Sequence, residues 1–385
     1  MERLGCDQSS YATILSLIRS YYTNTYTMRG PFTILLLFTV AIAFAQPDKT
    51  AAFIDAYVKK SNFNGTILIA KKSHPVYKKS FGLADFSLNI LNKPETRYKV
   101  ASITKAFTSV LILQLVEQGN IDLEKPIITY LPEYKGAGGN KVTIRQLLNM
   151  TSGMRNMDEN GSSLEGVLKN GLPQYQLPNT SDQMLEKFCS MELVKEPGKE
   201  FDYNNADFII LGKIIEKLSG KSFEKVLREK ILVPLSLTNS GMLTQNTIIN
   251  GLANTYFYRN DIKKLVPDLP AYIENWYASG AMYSTVDDIL KFSNALFGGK
   301  LLKPETLKQM FSSGLGEYGL GVWVYLDYKI NNKMYTIIKR PGSIMGAQAM
   351  LFHILEDDST IIILSNTGTV NMDDFAAKLA DKIME

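Results

Sequence analysis

The chain has 385 residues, of which 45% are hydrophobic, and it can therefore bury a core larger than that of a usual single domain. The net charge of +4 is dispersed along the chain without a long basic block, which argues against nucleic acid as a partner. The two cysteines and the two histidines, His74 and His353, do not have the spacing of a metal site. We therefore expect no metal and no other cofactor.

Residues 1–45 are predicted to be an upstream segment followed by a signal peptide. Met28-Arg-Gly precedes an apolar run at 31–44, and Ala43-Phe-Ala45 is a small-residue cleavage site. The apolar run is short for a bilayer span, so an anchor helix on a real N-terminal extension is the less favoured alternative. We expect translation to begin at Met28 and residues 46–385 to be periplasmic or secreted, without a stable membrane anchor after cleavage.

A short helix and a hairpin should follow the signal. Residues 49–60 have the apolar spacing of a helix, and 65–70 and 76–81 have the composition of two strands joined by a turn that contains His74. A single cysteine, Cys189, remains in the exported part, so we expect no internal disulfide.

The stretch 98–119 organises the rest of the chain. Its nearly uncharged run at 106–116 predicts a helix that is buried on most sides. Ser102 and Lys105 stand three residues apart at its start, where a desolvated amine can accept the proton of a serine hydroxyl. Ser-x-x-Lys alone is a weak signal, and a plain helix N-cap is an open alternative for Ser102; for the second copy, 222–225, we expect the N-cap.

From 121 to 315 the pattern predicts helices and long polar loops, with helices at 143–150, 208–218 and 286–296. This region is predicted to be a helical lobe inserted between parts of a sheet. The polar segment 155–183 is long for a structureless connection, which favours a functional rim or lid over a low-complexity linker.

Near the end of the chain the period returns to two. The runs 318–325, 334–340, 347–354 and 360–365 predict an antiparallel meander, and a last helix at 372–383 should pack with the first helix on one face of the sheet. His353 falls on one of these strands, and a catalytic role for it is not favoured because it has no evident partner.

Three elements, taken in order, resemble those of the serine β-lactamase and penicillin-binding protein superfamily, in the branch of class C β-lactamases, D-amino-acid peptidases and related esterases. They are Ser102-Ile-Thr-Lys105, the Tyr203-Asn-Asn205 element after a Pro-Gly turn, and Arg340-Pro-Gly342-Ser343 in the place of the family's Lys-Thr-Gly or His-x-Gly. Supporting phrases cover nearly all of 46–385. The resemblance implies an α+β fold, in which an antiparallel sheet of about five strands is flanked by helices and lies beside the helical lobe. The sheet parts would be 46–100 and 316–385, and the lobe about 101–315.

The resemblance also implies an acyl-enzyme mechanism. Ser102 would attack a carbonyl while Lys105 and Tyr203 relay the proton, and Asn205 would bind the substrate's amide. The N–H groups of Ser102 and Ser343 would form an oxyanion hole beside Gly342. Two alternatives stay open, an N-cap role for Asn205 and an ordinary core position for Tyr203.

The third element departs from the family pattern. Arg340 replaces a lysine or histidine, and since a guanidinium keeps its proton we expect Arg340 to bind a substrate carboxylate at two points. Pro341 lacks the hydroxyl and the N–H that other members can use, which argues against efficient β-lactam hydrolysis. Met150 stands where the family usually has histidine.

The favoured function is therefore an exported serine hydrolase of a small-molecule or peptide amide or ester: a D-amino-acid peptidase, an esterase or a β-lactamase-like enzyme. The alternative is a catalytically silent protein of the same fold that binds cell-wall peptide. Specificity should depend on 155–183 and on the region around Trp276 and Tyr277.

Overall fold

A computed structural model describes residues 49–159 and 164–385, which belong to one compact unit. The predicted signal peptide, with its apolar run at 31–44, lies outside the described residues. Within them, none of the helices has the length and apolar character needed to cross a bilayer.

Thirteen strands lie in the described part of the chain. They are β1 (Gly65–Lys71), β2 (His74–Phe81), β3 (Leu83–Asp85), β4 (Ile90–Leu91), β5 (Tyr98–Lys99), β6 (Gly241–Met242), β7 (Tyr256–Arg259), β8 (Lys264–Pro267), β9 (Met282–Ser284), β10 (Trp323–Ile330), β11 (Lys333–Ile344), β12 (Ala347–Ile354) and β13 (Ser359–Ser365). Six of them form one antiparallel sheet in the order β10-β11-β12-β13-β1-β2. The C-terminal meander and the N-terminal hairpin therefore join through the pair β13 and β1, which confirms the predicted sheet with one strand more than expected.

The described helices lie before, between and after these strands. They are α1 (Lys49–Ser61), α2 (Thr104–Glu117), α3 (Ile144–Leu148), α4 (Leu164–Asn170), α5 (Pro173–Gln176), α6 (Ser181–Phe188), α7 (Asn205–Ser219), α8 (Phe223–Leu227), α9 (Tyr277–Gly280), α10 (Val286–Phe297), α11 (Pro304–Met310) and α12 (Met372–Ile383). The fold is α+β, as predicted, and most of the helices lie in the sequence between β5 and β10.

Each face of the large sheet has its own hydrophobic core. On one face, Ile67 and Ile363 pack with residues of α1 and α12 such as Ile54 and Phe375, which confirms the predicted packing of the two terminal helices. On the other face the neighbouring side chains, among them Leu68, join the core of the helical region. The alternation of side chains along each strand therefore separates two cores.

The central helix α2 is buried on all sides over its first ten residues. It packs against α7 and α9, and the ring of Phe107 stacks on Phe292 of α10 with 3.7 Å between the centroids. A helix that is apolar all round is stable only inside a core. This burial fixes the position of the residues at its N-terminal end.

Several helix and strand boundaries differ from those predicted from the sequence. His74 lies at the start of the edge strand β2 instead of in the turn, and the strand expected at 318–325 begins only at Trp323, after a turn with glycines at 319 and 321. The helix expected at 143–150 is shorter, Ile144–Leu148. The segment 155–183 contains α4, α5 and the start of α6, so the low-complexity linker that was left as an alternative is wrong. Local turns and tertiary contacts decide these ends, which periodicity does not specify.

Candidate active site

Ser102 lies at the junction between β5 and the central helix. It is the middle residue of a single 3₁₀ turn, Ala101–Ile103, that leads directly into α2. Ala101 has a φ of +46°, a conformation that side-chain-bearing residues rarely adopt, and its carbonyl oxygen accepts a hydrogen bond from the Thr104 hydroxyl at 2.7 Å. No side chain caps either helical segment here, so the N-cap alternative for Ser102 is wrong. Ser222, by contrast, does cap α8 as predicted.

The amine of Lys105 is enclosed by three oxygen atoms. Its Nζ atom lies 3.1 Å from Ser102 Oγ, 2.6 Å from Asn205 Oδ1 and 2.8 Å from the carbonyl oxygen of Ser279. The side chain is fully buried. Burial, reinforced by the positive charge of Arg340, lowers the pKa of Lys105 to about 8. The neutral amine is therefore far more populated near neutral pH than it is for an exposed lysine.

The hydroxyl of Tyr203 reaches the same serine oxygen from another direction. It donates to Ser102 Oγ at 2.8 Å and accepts a hydrogen bond from Arg340 Nη2. Burial acts to raise the pKa of Tyr203, but the charges of Arg340 and Lys105 outweigh it and lower this pKa to about 8. Because its hydroxyl contacts Ser102, Tyr203 is not the ordinary core residue that the sequence left open.

Behind Lys105, Asn205 belongs to a further hydrogen-bonded chain. Its Oδ1 atom accepts from Lys105, and its Nδ2 atom donates to Asp158 Oδ2 at 2.7 Å. The other carboxylate oxygen of Asp158 accepts from the Tyr175 hydroxyl at 2.7 Å. The N-cap of α7 is Asn204, whose side chain accepts a backbone N–H at 3.0 Å, so the capping role considered for Asn205 belongs to its neighbour.

Arg340 lies behind the site with no exposed surface. Its Nε atom donates to the carbonyl oxygen of Ser102 at 2.6 Å and its Nη1 atom to the Tyr318 hydroxyl at 2.6 Å, while Nη2 donates to Tyr203. The prediction that Arg340 grips a substrate carboxylate at two points is wrong, because protein oxygens occupy the donors that such a grip needs. Arg340 instead supports the backbone and the two tyrosines around the serine.

The front of the site is a pocket of about 430 Å³ whose wall includes Ser102, Tyr203, Gly342 and Ser343. A Cβ atom on Gly342 would lie 2.4 Å from the carbonyl oxygen of Val100 and 2.9 Å from the Ser102 nitrogen. Glycine is therefore required for β11 to approach the serine so closely. Of the predicted residues, Ser102, Tyr203, Gly342 and Ser343 thus line one pocket. Lys105 and Asn205 lie behind Ser102, where the Lys105 amine contacts both the serine oxygen and Asn205 Oδ1.

Four contacting residues were not singled out from the sequence: Asp158, Tyr175, Ser279 and Tyr318. Asp158 and Tyr175 lie in the 155–183 region that was expected to form a rim. Ser279 and Tyr318 lie within the part of the chain that the family resemblance covers, but no pattern in the sequence indicated their contacts.

His353 takes no part in this site. It is buried, its ring stacks on Phe297 with 3.7 Å between centroids, and its Nδ1 atom lies 2.9 Å from the Thr360 hydroxyl. Met150 is also buried, and its sulfur accepts the Asn204 N–H at 3.4 Å. Among the residues described, no group of three or more histidine, cysteine or acidic side chains is placed to hold a metal ion.

The chain is similar to known proteins in sequence and in fold. The Beta-lactamase family model matches residues 50–383. The putative penicillin-binding protein PbpX of Bacillus subtilis is 29% identical over 70% of this chain, and the match spans 64% of that relative's length. Teichoic acid D-alanine hydrolase of Staphylococcus aureus is 25% identical over 81% of this chain and 72% of its own. The fold is shared with a D-stereospecific amidohydrolase from Streptomyces, with a TM-score of 0.74, 22% identity and coverage of 87% of this chain and 98% of that one.

Proposed function

The chain belongs to the beta-lactamase family and is a serine hydrolase of the β-lactamase/DD-peptidase type, and we propose that it cleaves an amide or an ester through an acyl-enzyme on Ser102. One observation carries the proposal. Two groups of lowered pKa, the Lys105 amine and the Tyr203 hydroxyl, both lie within hydrogen-bond distance of the Ser102 oxygen.

The contacts of Lys105 favour its neutral amine as the proton acceptor. A neutral amine has two hydrogens and one lone pair. Two of its three partners, Asn205 Oδ1 and the Ser279 carbonyl, can only accept hydrogen bonds. When they take both hydrogens, the lone pair is left to face the Ser102 hydroxyl and to receive its proton as the oxygen attacks the carbonyl carbon.

Tyr203 is placed to return a proton to the leaving group. In our proposal the C–N or C–O bond breaks, the leaving group takes a proton from Tyr203, and the phenolate recovers one from the Lys105 ammonium. Arg340 stabilises the transient phenolate through its hydrogen bond. The N–H groups of Ser102 and Ser343 would hold the developing oxyanion, and water would then release the acyl group.

We propose D-aminoacyl amides or esters as the first substrates to test. The support comes from the relatives, one of which is named a teichoic acid D-alanine hydrolase. Teichoic acid belongs to the cell envelope, which agrees with the export predicted from residues 28–45. Determining the N-terminus of the secreted protein by mass spectrometry would test export directly, and a mature protein that still carries residues 28–45 would contradict it.

Covalent labelling tests the chemistry. Purified residues 46–385 are treated with a fluorophosphonate and with a fluorescent penicillin, and the intact mass is measured. We expect one adduct on the wild type, none on Ser102→Ala, and full labelling of Ser222→Ala, the matched control in the second Ser-x-x-Lys. No adduct on the wild type, or equal labelling of Ser102→Ala, would overturn the proposal. If the wild type forms no adduct but binds cell-wall peptide, the result would favour the catalytically silent binding protein.

A further inference from the structure

The pocket in front of Ser102 contains one formally charged residue at its wall, the acidic Asp373 at the start of α12. The other residues that line it are neutral, among them Trp323, Pro341 and Gln348. Among the residues that the structure describes, the lining of this pocket therefore offers a substrate group a carboxylate and no cationic side chain.

The cations nearby are already engaged. Lys105 and Arg340 are fully buried, and oxygens of the protein occupy their donors. Lys339 is bound to Asp373, with 2.6 Å between Nζ and Oδ1, and its side chain is 14% exposed while that of Asp373 is 60% exposed. The carboxylate is thus the member of this ion pair that faces the solvent.

The N-terminus of α12 does not supply positive charge either. A helix start can attract an anion through its free N–H groups. Here the Asn371 side chain accepts the N–H of Asp374, and both Asp373 and Asp374 place negative charge in the first turn. These groups oppose the attraction that a bare helix end would have.

Gln348 adds a second acceptor to the same pocket. It lies opposite Ser343 across β11 and β12. Its Oε1 atom is shielded from solvent and has no hydrogen-bond partner among the described residues. A ligand that brings a donor, such as a hydroxyl, an amide N–H or an ammonium group, would satisfy this acceptor once the Gln348 side chain turns toward the pocket.

We infer that this pocket selects against substrates with a free carboxylate near the scissile bond and accepts neutral or cationic groups that carry hydrogen-bond donors, with Asp373 as the specificity-determining residue. The inference rests on the proposed hydrolysis at Ser102 and narrows its substrate class. It replaces the carboxylate-bearing substrate expected from Arg340, since that arginine is enclosed by the protein.

Two pairs of esters test the inference. The first pair is 3-acetoxybenzoate and its methyl ester, which differ by a carboxylate on the leaving group. The second is p-nitrophenyl hemisuccinate and its methyl ester, which differ by a carboxylate on the acyl group. The ratio of kcat/KM within each pair is measured for the wild type, Asp373→Asn and Asp373→Lys, at low salt and with 0.5 M NaCl added. Asp374→Asn is the matched control. It removes the same charge from the next residue along the chain, whose side chain is bound to Lys378.

At low salt we expect the wild type to prefer the neutral ester about tenfold in at least one pair, as like charges at close range repel. Asp373→Asn should reduce this preference about threefold and Asp373→Lys further, while added salt should weaken it and Asp374→Asn should leave it in place. Equal use of both members in both pairs, or a preference that Asp373→Asn does not change, overturns the inference. Failure to hydrolyse any of the four esters would instead count against the proposed function.

Discussion

Asp158 does not contact Ser102, but it should influence the pKa and the hydrogen bonding of Lys105, the residue that accepts the proton of the serine. Its carboxylate holds the Nδ2 group of Asn205 at 2.7 Å, which turns Oδ1 of that amide toward Lys105. The charge of Asp158 also acts to raise the pKa of Lys105. Replacing Asp158 by Asn keeps the shape of the side chain but removes this charge and loosens the orientation of the Asn205 amide.

The expected loss follows from the hydrogen bond that is weakened. A hydrogen bond to a charged group contributes about 1.5 to 3 kcal/mol, and the new amide keeps part of it, so we expect kcat/KM to fall about tenfold. The removal of a negative charge lowers the pKa of Lys105 further below its present value of about 8. The acid limb of the pH profile, where the Lys105–Tyr203 pair loses its first proton, should therefore move to lower pH.

Initial rates of ester hydrolysis between about pH 5 and pH 10 measure both effects. Tyr175→Phe is the control, since it removes the other hydrogen bond to Asp158 while the charge stays. It should change the rate without moving the acid limb to lower pH. An acid limb that stays in place or moves to higher pH in Asp158→Asn would refute the reasoning, as would an unchanged rate.

Three other substitutions test the surroundings of the site. Gly342→Ala places a methyl group against the backbone of Ser102, so acylation by a fluorophosphonate should slow by roughly tenfold or more, and an unchanged rate would be contrary to this. Arg340→Lys leaves buried oxygens, including that of Tyr203, with fewer donors, and should lower the free energy of unfolding in urea by about 2 to 4 kcal/mol at neutral pH. Burial lowers the pKa of His353 to about 4, against about 6.5 in an unfolded chain, so the folded state should lose about 3 kcal/mol as the pH falls from 6.5 to 4. His353→Phe should flatten this dependence, and an equally steep loss in that variant would exclude His353 as its cause.

Patterns that depend on neighbours in the chain were predicted well from the sequence. The apolar run 106–116 can be stable only inside a core, and it forms the buried helix α2. The final helix was placed at Met372–Ile383, where the structure has it, because a 3.6-residue apolar period is a local property. Ser102 and Lys105 were paired for the same reason, since their spacing by itself puts them on one side of the chain.

Contacts between distant segments were not accessible in the same way. Asp158 meets Asn205 across 47 positions, and Ser279 meets Lys105 across 174, so that no spacing rule connects them. The prediction for Arg340 failed in a different way, because the residue was identified but given the wrong role. Its position in the third element was identified, but its role was inferred from side-chain chemistry, and the direction of its side chain depends on Tyr318 and on the turn before β10.

The exchange of a titratable residue for arginine restricts which groups can move a proton in this pocket. A guanidinium does not act as a proton donor or acceptor in proteins, so Arg340 stabilises the phenolate of Tyr203 through its hydrogen bond without competing for the proton. Proton transfer at Ser102 is then left to Lys105 and Tyr203, both with a pKa of about 8. Because the pair must lose one proton before it can accept that of the serine, kcat/KM should rise with pH from neutrality through about pH 8. A profile that is already flat between pH 6 and pH 9 would mean that another group accepts the proton.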